Sequence, residues 1–269
     1  MASEQNFGAK IERVSITLNG SQEEQKEFLQ SLVTNDVERA TSEALVYSAL
    51  LTPQGKYLSD FFIRRTPEGD FVLDVAPAQA EALTKRLTMY KLRRPITLTQ
   101  VDHSVAVMWG ENPPESALAD PRDPALGWRV YDEPEASLAD TKPGDYDLHR
   151  LRLGVPESEV DLITNDTYIL EAGFERMSGV DFKKGCYVGQ EIVARMKHKT
   201  ELRKGYAVVS VSGSATPGEI IKTEEDKPAG VLYSNRDDIG LALLRLDRVK
   251  NAASLTAAEA KIGKPNDRR

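Results

Sequence analysis

Along 269 residues there is one cysteine, Cys186, which stands between two glycines in the stretch KGCYVGQE, Lys184 to Glu191. A lone thiol cannot close an intramolecular disulfide, so the fold has to rest on packing, and Cys186 is expected to be free in a reducing compartment. The same count limits metals. With Cys186, His103, His149 and His198 scattered along the chain, the roughly four thiolate or imidazole ligands of a structural zinc or an iron–sulfur cluster are not at hand, and no metal site is expected. Packing then needs apolar material, and 40% hydrophobic residues suffice for a core divided over roughly two or three domains.

Charge and patterning exclude further classes. A net charge of −7 argues against a general affinity for nucleic acid, which draws most of its binding energy from a basic face. No apolar run approaches the roughly 20 residues needed to span a bilayer, so no membrane association is expected. The opening MASEQNFGAKIERVSITLNG lacks the apolar block of a secretory signal and the Arg/Ser-rich make-up of a transit peptide, which places the protein in the cytoplasm.

The order of elements reads as α+β. IERVSITLNG alternates Ile11, Val14, Ile16 and Leu18 before Gly20, a strand ending in a turn, and SQEEQKEFLQSLVTNDV opens with a capping Ser21 and acidic residues, a helix. ALVYSALL and YLSDFFIRR, joined through Pro53 and Gly55, and then GDFVLDVA form an antiparallel meander. PAQAEALTKRLTMYKLR spaces Ala80, Leu83, Leu87 and Tyr90 by threes and fours, an amphipathic helix, before PITLTQVDHSVAVMWG returns to strand. From Glu111 to Asp147 the Pro/Asp/Gly-rich chain reads as exposed connection, with GWRVY as a short strand inside it. After Tyr206, short β-branched runs alternate with turn clusters, which predicts a separate small β-barrel or sandwich beginning near Arg203. The polar tail KIGKPNDRR is expected to fray.

GQEIVARMKHK, Gly189 to Lys199, reads as a helix with Glu191 in its first turn and Arg195, Lys197, His198 and Lys199 toward its end. Cys186 therefore precedes a helix N-terminus, where backbone N–H groups and the nearby Lys184 would favour a thiolate. Its alternative is a small buried hydrophobe between turn glycines. A Cys/His catalytic pair with His149 or His198 would need an oriented base and an oxyanion hole, for which no signal is present.

KGCYVGQE resembles the signature of the YgfZ-type folate-binding proteins, relatives of the aminomethyltransferase T protein of the glycine cleavage system. ERVSITLNG with FLQSLVTNDV, DPRDPALGWR, HRLRLGVPE and GLALLRLDRV resemble further segments of that family, so the likeness covers nearly the whole chain. It implies two interwoven antiparallel α+β subdomains within residues 1–202, the second at roughly 46–115, and a C-terminal small β-barrel over 203–269, arranged as a cloverleaf around a channel for tetrahydrofolate. It also implies an accessory protein for the assembly or repair of iron–sulfur enzymes, including those that modify tRNA. Such a protein would act as a monomer on folate and client iron–sulfur proteins, without touching nucleic acid directly.

Residue by residue, the resemblance places Glu171 of ILEAGF against the pterin, since a carboxylate accepts two N–H donors side by side. Asn35 and Asp36 of TNDV fall along the folate channel, Asp60 of YLSDFFI near the reactive end of the folate, and Arg203 near its glutamate tail. Cys186, with Lys184 beside it, is the reactive centre. Thr52, Ser59 and Gln54-Gly55-Lys56 depart from the aminomethyltransferase pattern, which disfavours a second reading as an aminomethyl or one-carbon transferase. A third reading is a non-catalytic adaptor on the same scaffold.

Overall fold

The computed structural model describes residues 7–110, 112–131, 143–199 and 202–265. In chain order the first part contains β1 (Phe7–Asn19), α1 (Gln22–Gln30), β2 (Val46–Leu51), β3 (Tyr57–Arg65), β4 (Phe71–Val75), α2 (Pro77–Lys91), β5 (Thr97–Trp109), β6 (Leu118–Ala119) and β7 (Trp128–Val130). Then come α3 (Pro143–Arg152), α4 (Gln190–Lys199), β8 (Lys204–Ser212), β9 (Ile220–Thr223), β10 (Pro228–Arg236), β11 (Ile239–Arg245), α5 (Leu246–Asn251), β12 (Leu255–Ala257) and β13 (Ala260–Ile262).

The first seven strands make one antiparallel sheet in the order β2-β3-β4-β1-β5-β7-β6, and the last six close a barrel, β10-β11-β8-β13-β12-β9. The strands before residue 131 thus form one sheet, which is covered on both faces. Phe61 and Ile63 of β3 enter a core with Phe28 and Leu29 of α1 and Leu83 and Leu87 of α2. Phe62 between them enters a second core with Tyr47, Phe174, Met177 and Val180. Burial on both faces is why Ala49-Leu50-Leu51 of β2 and Phe61-Phe62-Ile63 of β3 read as apolar stretches instead of alternating ones.

Local chemistry sets the helix limits. The Ser21 hydroxyl caps α1 by accepting from the Glu24 N–H, with Glu23 and Glu24 at the positive end of the dipole. α2 starts on Pro77 and buries Ala80, Leu83 and Leu87. Two expectations change. α3 begins at Pro143, inside the segment expected to be connection, because its first turn tolerates Pro143 and Tyr146 and Leu151 supply a buried face; residues 132–142 lie outside the described ones. The tail does not fray where expected: Lys261 and Ile262 pair with Ser212 and Val211 of β8 and close the barrel, while residues 266–269 lie outside the described ones.

Between α3 and α4 the chain runs through consecutive turns. Buried polar side chains fasten this stretch. Asp161, fully buried, accepts from the Arg150 guanidinium at 2.9 Å, the Glu157 N–H at 2.8 Å and the Ser234 hydroxyl of the barrel at 2.5 Å. Burying that carboxylate is tolerable because each oxygen is satisfied.

Candidate functional site

The KGCYVGQE loop is fixed by close backbone approach. Gly189 has φ +85, and a Cβ there would stand 2.7 Å from the Thr52 carbonyl oxygen, while a Cβ on Gly55, at φ +72, would stand 2.8 Å from Cβ of Ile192. The β2–β3 turn and the start of α4 therefore interlock through two glycines that must lack side chains. Gly185 has open space around its Cα and no such role.

Lys184 is half-buried, and its ammonium donates to the carbonyls of Val33 at 2.7 Å and Asn35 at 2.8 Å. Burial lowers its pKa to about 8 against the pull of Asp36 and Asp181. Asp181 accepts from the Lys183 and Lys184 N–H groups and pairs with Arg39 at 2.6 Å. Cys186 is exposed, so the alternative of a buried small hydrophobe is set aside. The ring of His149 faces the Ala125 carbonyl at 2.7 Å and stacks on Trp109, which leaves it no part in a Cys/His pair.

Three of the expected folate-channel residues are engaged by the protein itself. The Asn35 amide donates to the carbonyls of Tyr47 and Ser178, and its oxygen accepts from the Asp36 N–H. Asp36 caps a short 3-10 turn through the Glu38 N–H and accepts from Gln30. Asp60 is buried and takes the Tyr47 hydroxyl on one oxygen at 2.9 Å, with the Tyr57 hydroxyl at 2.5 Å and the Ser158 hydroxyl at 2.7 Å on the other.

Glu171 is different. It is half-buried where the turn segment meets the first barrel strand, and its backbone carbonyl accepts from the Tyr206 N–H at 2.9 Å. Among the described residues no side chain or backbone group donates to its carboxylate. Burial pushes its pKa up, while Lys204 and Lys56 draw it down and Asp166 adds to the rise. Around it lie Lys56, whose ammonium sits 3.8 Å above the Tyr168 ring and donates to the Asp166 carbonyl, and the stacked rings of Tyr206 and Tyr233 with centroids 5.7 Å apart. Arg203, exposed, precedes Lys204 on the approach to the barrel. The structure thus gathers Glu171, Lys204 and Lys56 with three tyrosines, and it holds Asn35, Asp36 and Asp60 in other hydrogen bonds. Sequence reasoning passed over Tyr168, Tyr206 and Tyr233. Tyr168, three residues before Glu171 in TYILEAG, carried a readable signal; the barrel tyrosines had none.

Comparison with solved structures finds glycine cleavage system aminomethyltransferase T from Bartonella henselae at a TM-score of 0.75, covering 98% of this chain and 85% of that one at 13% identity. That likeness establishes the fold. The family model described as CAF17, C-terminal beta-barrel domain, matches residues 203–264. The class is therefore an aminomethyltransferase-type scaffold closed by a CAF17-type barrel. Within it, the mitochondrial iron–sulfur cluster assembly factor IBA57 homolog of Mycosarcoma maydis is 32% identical across 86% of this chain and 72% of its own length. The mitochondrial IBA57 of Homo sapiens is 30% identical, with 86% of this chain and 76% of that protein covered. The chain belongs to the IBA57 family of iron–sulfur cluster assembly factors, which narrows the YgfZ-type resemblance. The same relatives overturn the cytoplasmic placement, because they are mitochondrial proteins. Targeting segments are removed from mature chains, so the composition of a folded body carries no address.

Proposed function

We propose that this protein serves the assembly of iron–sulfur clusters and does so with a tetrahydrofolate-type ligand held at the seam between barrel and body. The observation that carries this reading is Glu171, a half-buried carboxylate to which no described group donates a hydrogen bond, in a chain whose buried Asp60, Asp74, Asp120 and Asp161 all have hydrogen-bonded partners. A half-buried carboxylate with a raised pKa and no hydrogen-bond donor is a candidate for contact with a ligand. The surrounding residues fit a folate: Glu171 accepts paired N–H donors, the tyrosines offer aromatic faces, and Lys204 and Arg203 meet an anionic tail.

Cys186, exposed on a loop pinned by Lys184 and Asp181, offers a single thiolate ligand to a cluster passing between proteins. One thiol makes transient contact with such cargo and cannot store it. Client iron–sulfur proteins are the partners. Aminomethyl transfer finds no support, since the carboxylate of Asp60 is taken up by Tyr47, Tyr57 and Ser158.

Anaerobic calorimetry of the protein with tetrahydrofolate, beside Glu171→Ala, tests the pocket. Micromolar-range binding weakened by about tenfold or more in the variant is expected from the loss of a charge-assisted pair. Absence of heat in both would leave a non-catalytic adaptor. Cys186→Ala is expected to bind folate normally and to fail in restoring cluster-dependent enzymes in cells lacking the native copy.

A further inference from the structure

On the sheet face that carries Phe61 and Ile63, a cavity of about 210 Å³ opens between α2 and the 159–164 turn. Leu50, Leu58, Ala82 and Leu83 supply its apolar lining, and Gln79, Arg86, Glu159 and Thr164 supply polar groups. Gln79, Ala82 and Arg86 follow one another by three and four residues, so a single stripe of α2 faces the cavity. None of Glu171, Lys56, Tyr168, Tyr206 and Tyr233 lines it. Tyr131 and Tyr146, which stand on either side of residues 132–142, pack in the core of the opposite face.

The polar groups fix one carboxylate in place. Glu159 has φ +62, in the left-handed region that a non-glycine residue enters only at a cost. Its Oε1 accepts from Gln79 Nε2 at 2.7 Å and from the Thr164 hydroxyl at 3.0 Å. Gln79 is buried and cannot turn away: its oxygen accepts from the Ser59 hydroxyl at 2.8 Å, and its Nε2 also donates to the Tyr57 hydroxyl at 2.8 Å. Both bonds to Glu159 fall on one oxygen, and among the described residues nothing donates to Oε2. Arg86, two turns after Gln79, brings a guanidinium to the same cavity, and among the described residues no carboxylate pairs with it. The Cα atoms of Gln79 and Arg86 are roughly 10 Å apart along the axis at the rise of an α-helix. Side chains on a helix lean toward its N-terminus, which brings the two charges within the span of one short molecule.

We propose that this cavity binds a small aliphatic α-amino acid, of the size of valine or leucine. The ammonium donates to Glu159 Oε2, the carboxylate accepts from the Arg86 guanidinium, and the side chain lies against Leu50, Leu58 and Leu83. Opposite charges facing one cavity select a zwitterion, because a ligand with a single charge leaves the other side unmatched. The size follows from the volume. A cavity of about 150 Å³ takes benzene, and in proportion about 210 Å³ takes roughly eight or nine non-hydrogen atoms. With other residues lining it, the site does not rest on the folate reading.

The probes are L-leucine and L-valine, with 3-methylbutylamine, which is leucine without its carboxylate, and 4-methylpentanoate, which is leucine without its ammonium. Each is titrated into the full chain while the backbone amide resonances of Ala82 and Thr164 are followed. Saturable shifts at these amides are expected at millimolar leucine or valine or below, with the amine and the acid each weaker by about tenfold or more. Arg86 is exposed, so Arg86→Gln should fold as wild type does. It should weaken leucine by about tenfold or more and leave 3-methylbutylamine unchanged. Glu159→Gln should do the reverse, weakening leucine and sparing 4-methylpentanoate. Absence of a saturable response to both amino acids in wild type, or equal leucine binding in wild type and Arg86→Gln, overturns the site. Glu171→Ala is expected to bind leucine as wild type does; loss of binding there would overturn a separate site while leaving the folate reading standing.

Discussion

Lys184 is the residue whose environment most changes its chemistry. Its ammonium is anchored on two carbonyls of the 33–35 turn, and burial brings its pKa from the ordinary 10.5 down to about 8. Below about pH 8 the folded and unfolded chains both hold the proton. Between about 8 and 10.5 only the unfolded chain does, so folding stability gains with rising pH across that window. Urea unfolding at pH 7.5 and pH 10 should show this gain in wild type and a smaller one in Lys184→Met; equal slopes in the two proteins would mean that the amine is not perturbed. The type of residue in this motif was legible in the sequence, but its neighbours were not. The partners of Asp60 lie 3, 13 and 98 residues away, and no local pattern shows that its oxygens are already filled. Glu171 is singled out through the LEAG resemblance, and that no described group donates to its carboxylate emerges only from the folded chain.

At the scale of elements, the sequence carried most of what local chemistry decides. Capping at Ser21, the spacing of Ala80, Leu83 and Leu87, and the turn residues of the β2–β3 meander mark elements that are present in the fold. What it hid were choices made by tertiary contact: α3 starting on Pro143, and a strand in the polar tail completed by β8. The two glycines of KGCYVGQE look alike in sequence and differ in the structure. Gly189 combines positive φ with a backbone oxygen 2.7 Å from where its Cβ would be, whereas Gly185 has nothing near. Gly189→Ala is therefore expected to destabilise the protein by about 1–3 kcal/mol, and Gly185→Ala by less than about 0.5 kcal/mol, read as urea midpoints at constant m-value. The larger change should also raise the accessibility of Cys186 to a thiol reagent, because the anchor of its loop on the β2–β3 turn is what Gly189 permits.

For the whole molecule, the consequential feature is how the barrel is joined to the body. The Tyr206 hydroxyl donates to the Asp161 carbonyl at 2.5 Å, the Ser234 hydroxyl donates to the Asp161 carboxylate, and the Tyr206 N–H donates to the Glu171 carbonyl. These bonds cross the seam while each side keeps its own apolar core. Removing both hydroxyls, in Tyr206→Phe with Ser234→Ala, takes two hydrogen bonds from the seam and leaves the barrel core residues in place. The expected loss is about 1–3 kcal/mol in global stability, with a larger effect locally: hydrogen exchange at the Tyr206 amide should quicken more than at the β10–β11 ladder. Because the proposed ligand sits on Glu171 at this seam, tetrahydrofolate should slow exchange at the Tyr206 amide in wild type and restore part of the lost protection in the double variant, as a ligand that binds only the closed seam must. Uniform quickening across barrel and body would mean that the two parts unfold as one unit and that the seam is not a separate joint. Unchanged exchange at Tyr206 on adding folate would place any ligand elsewhere.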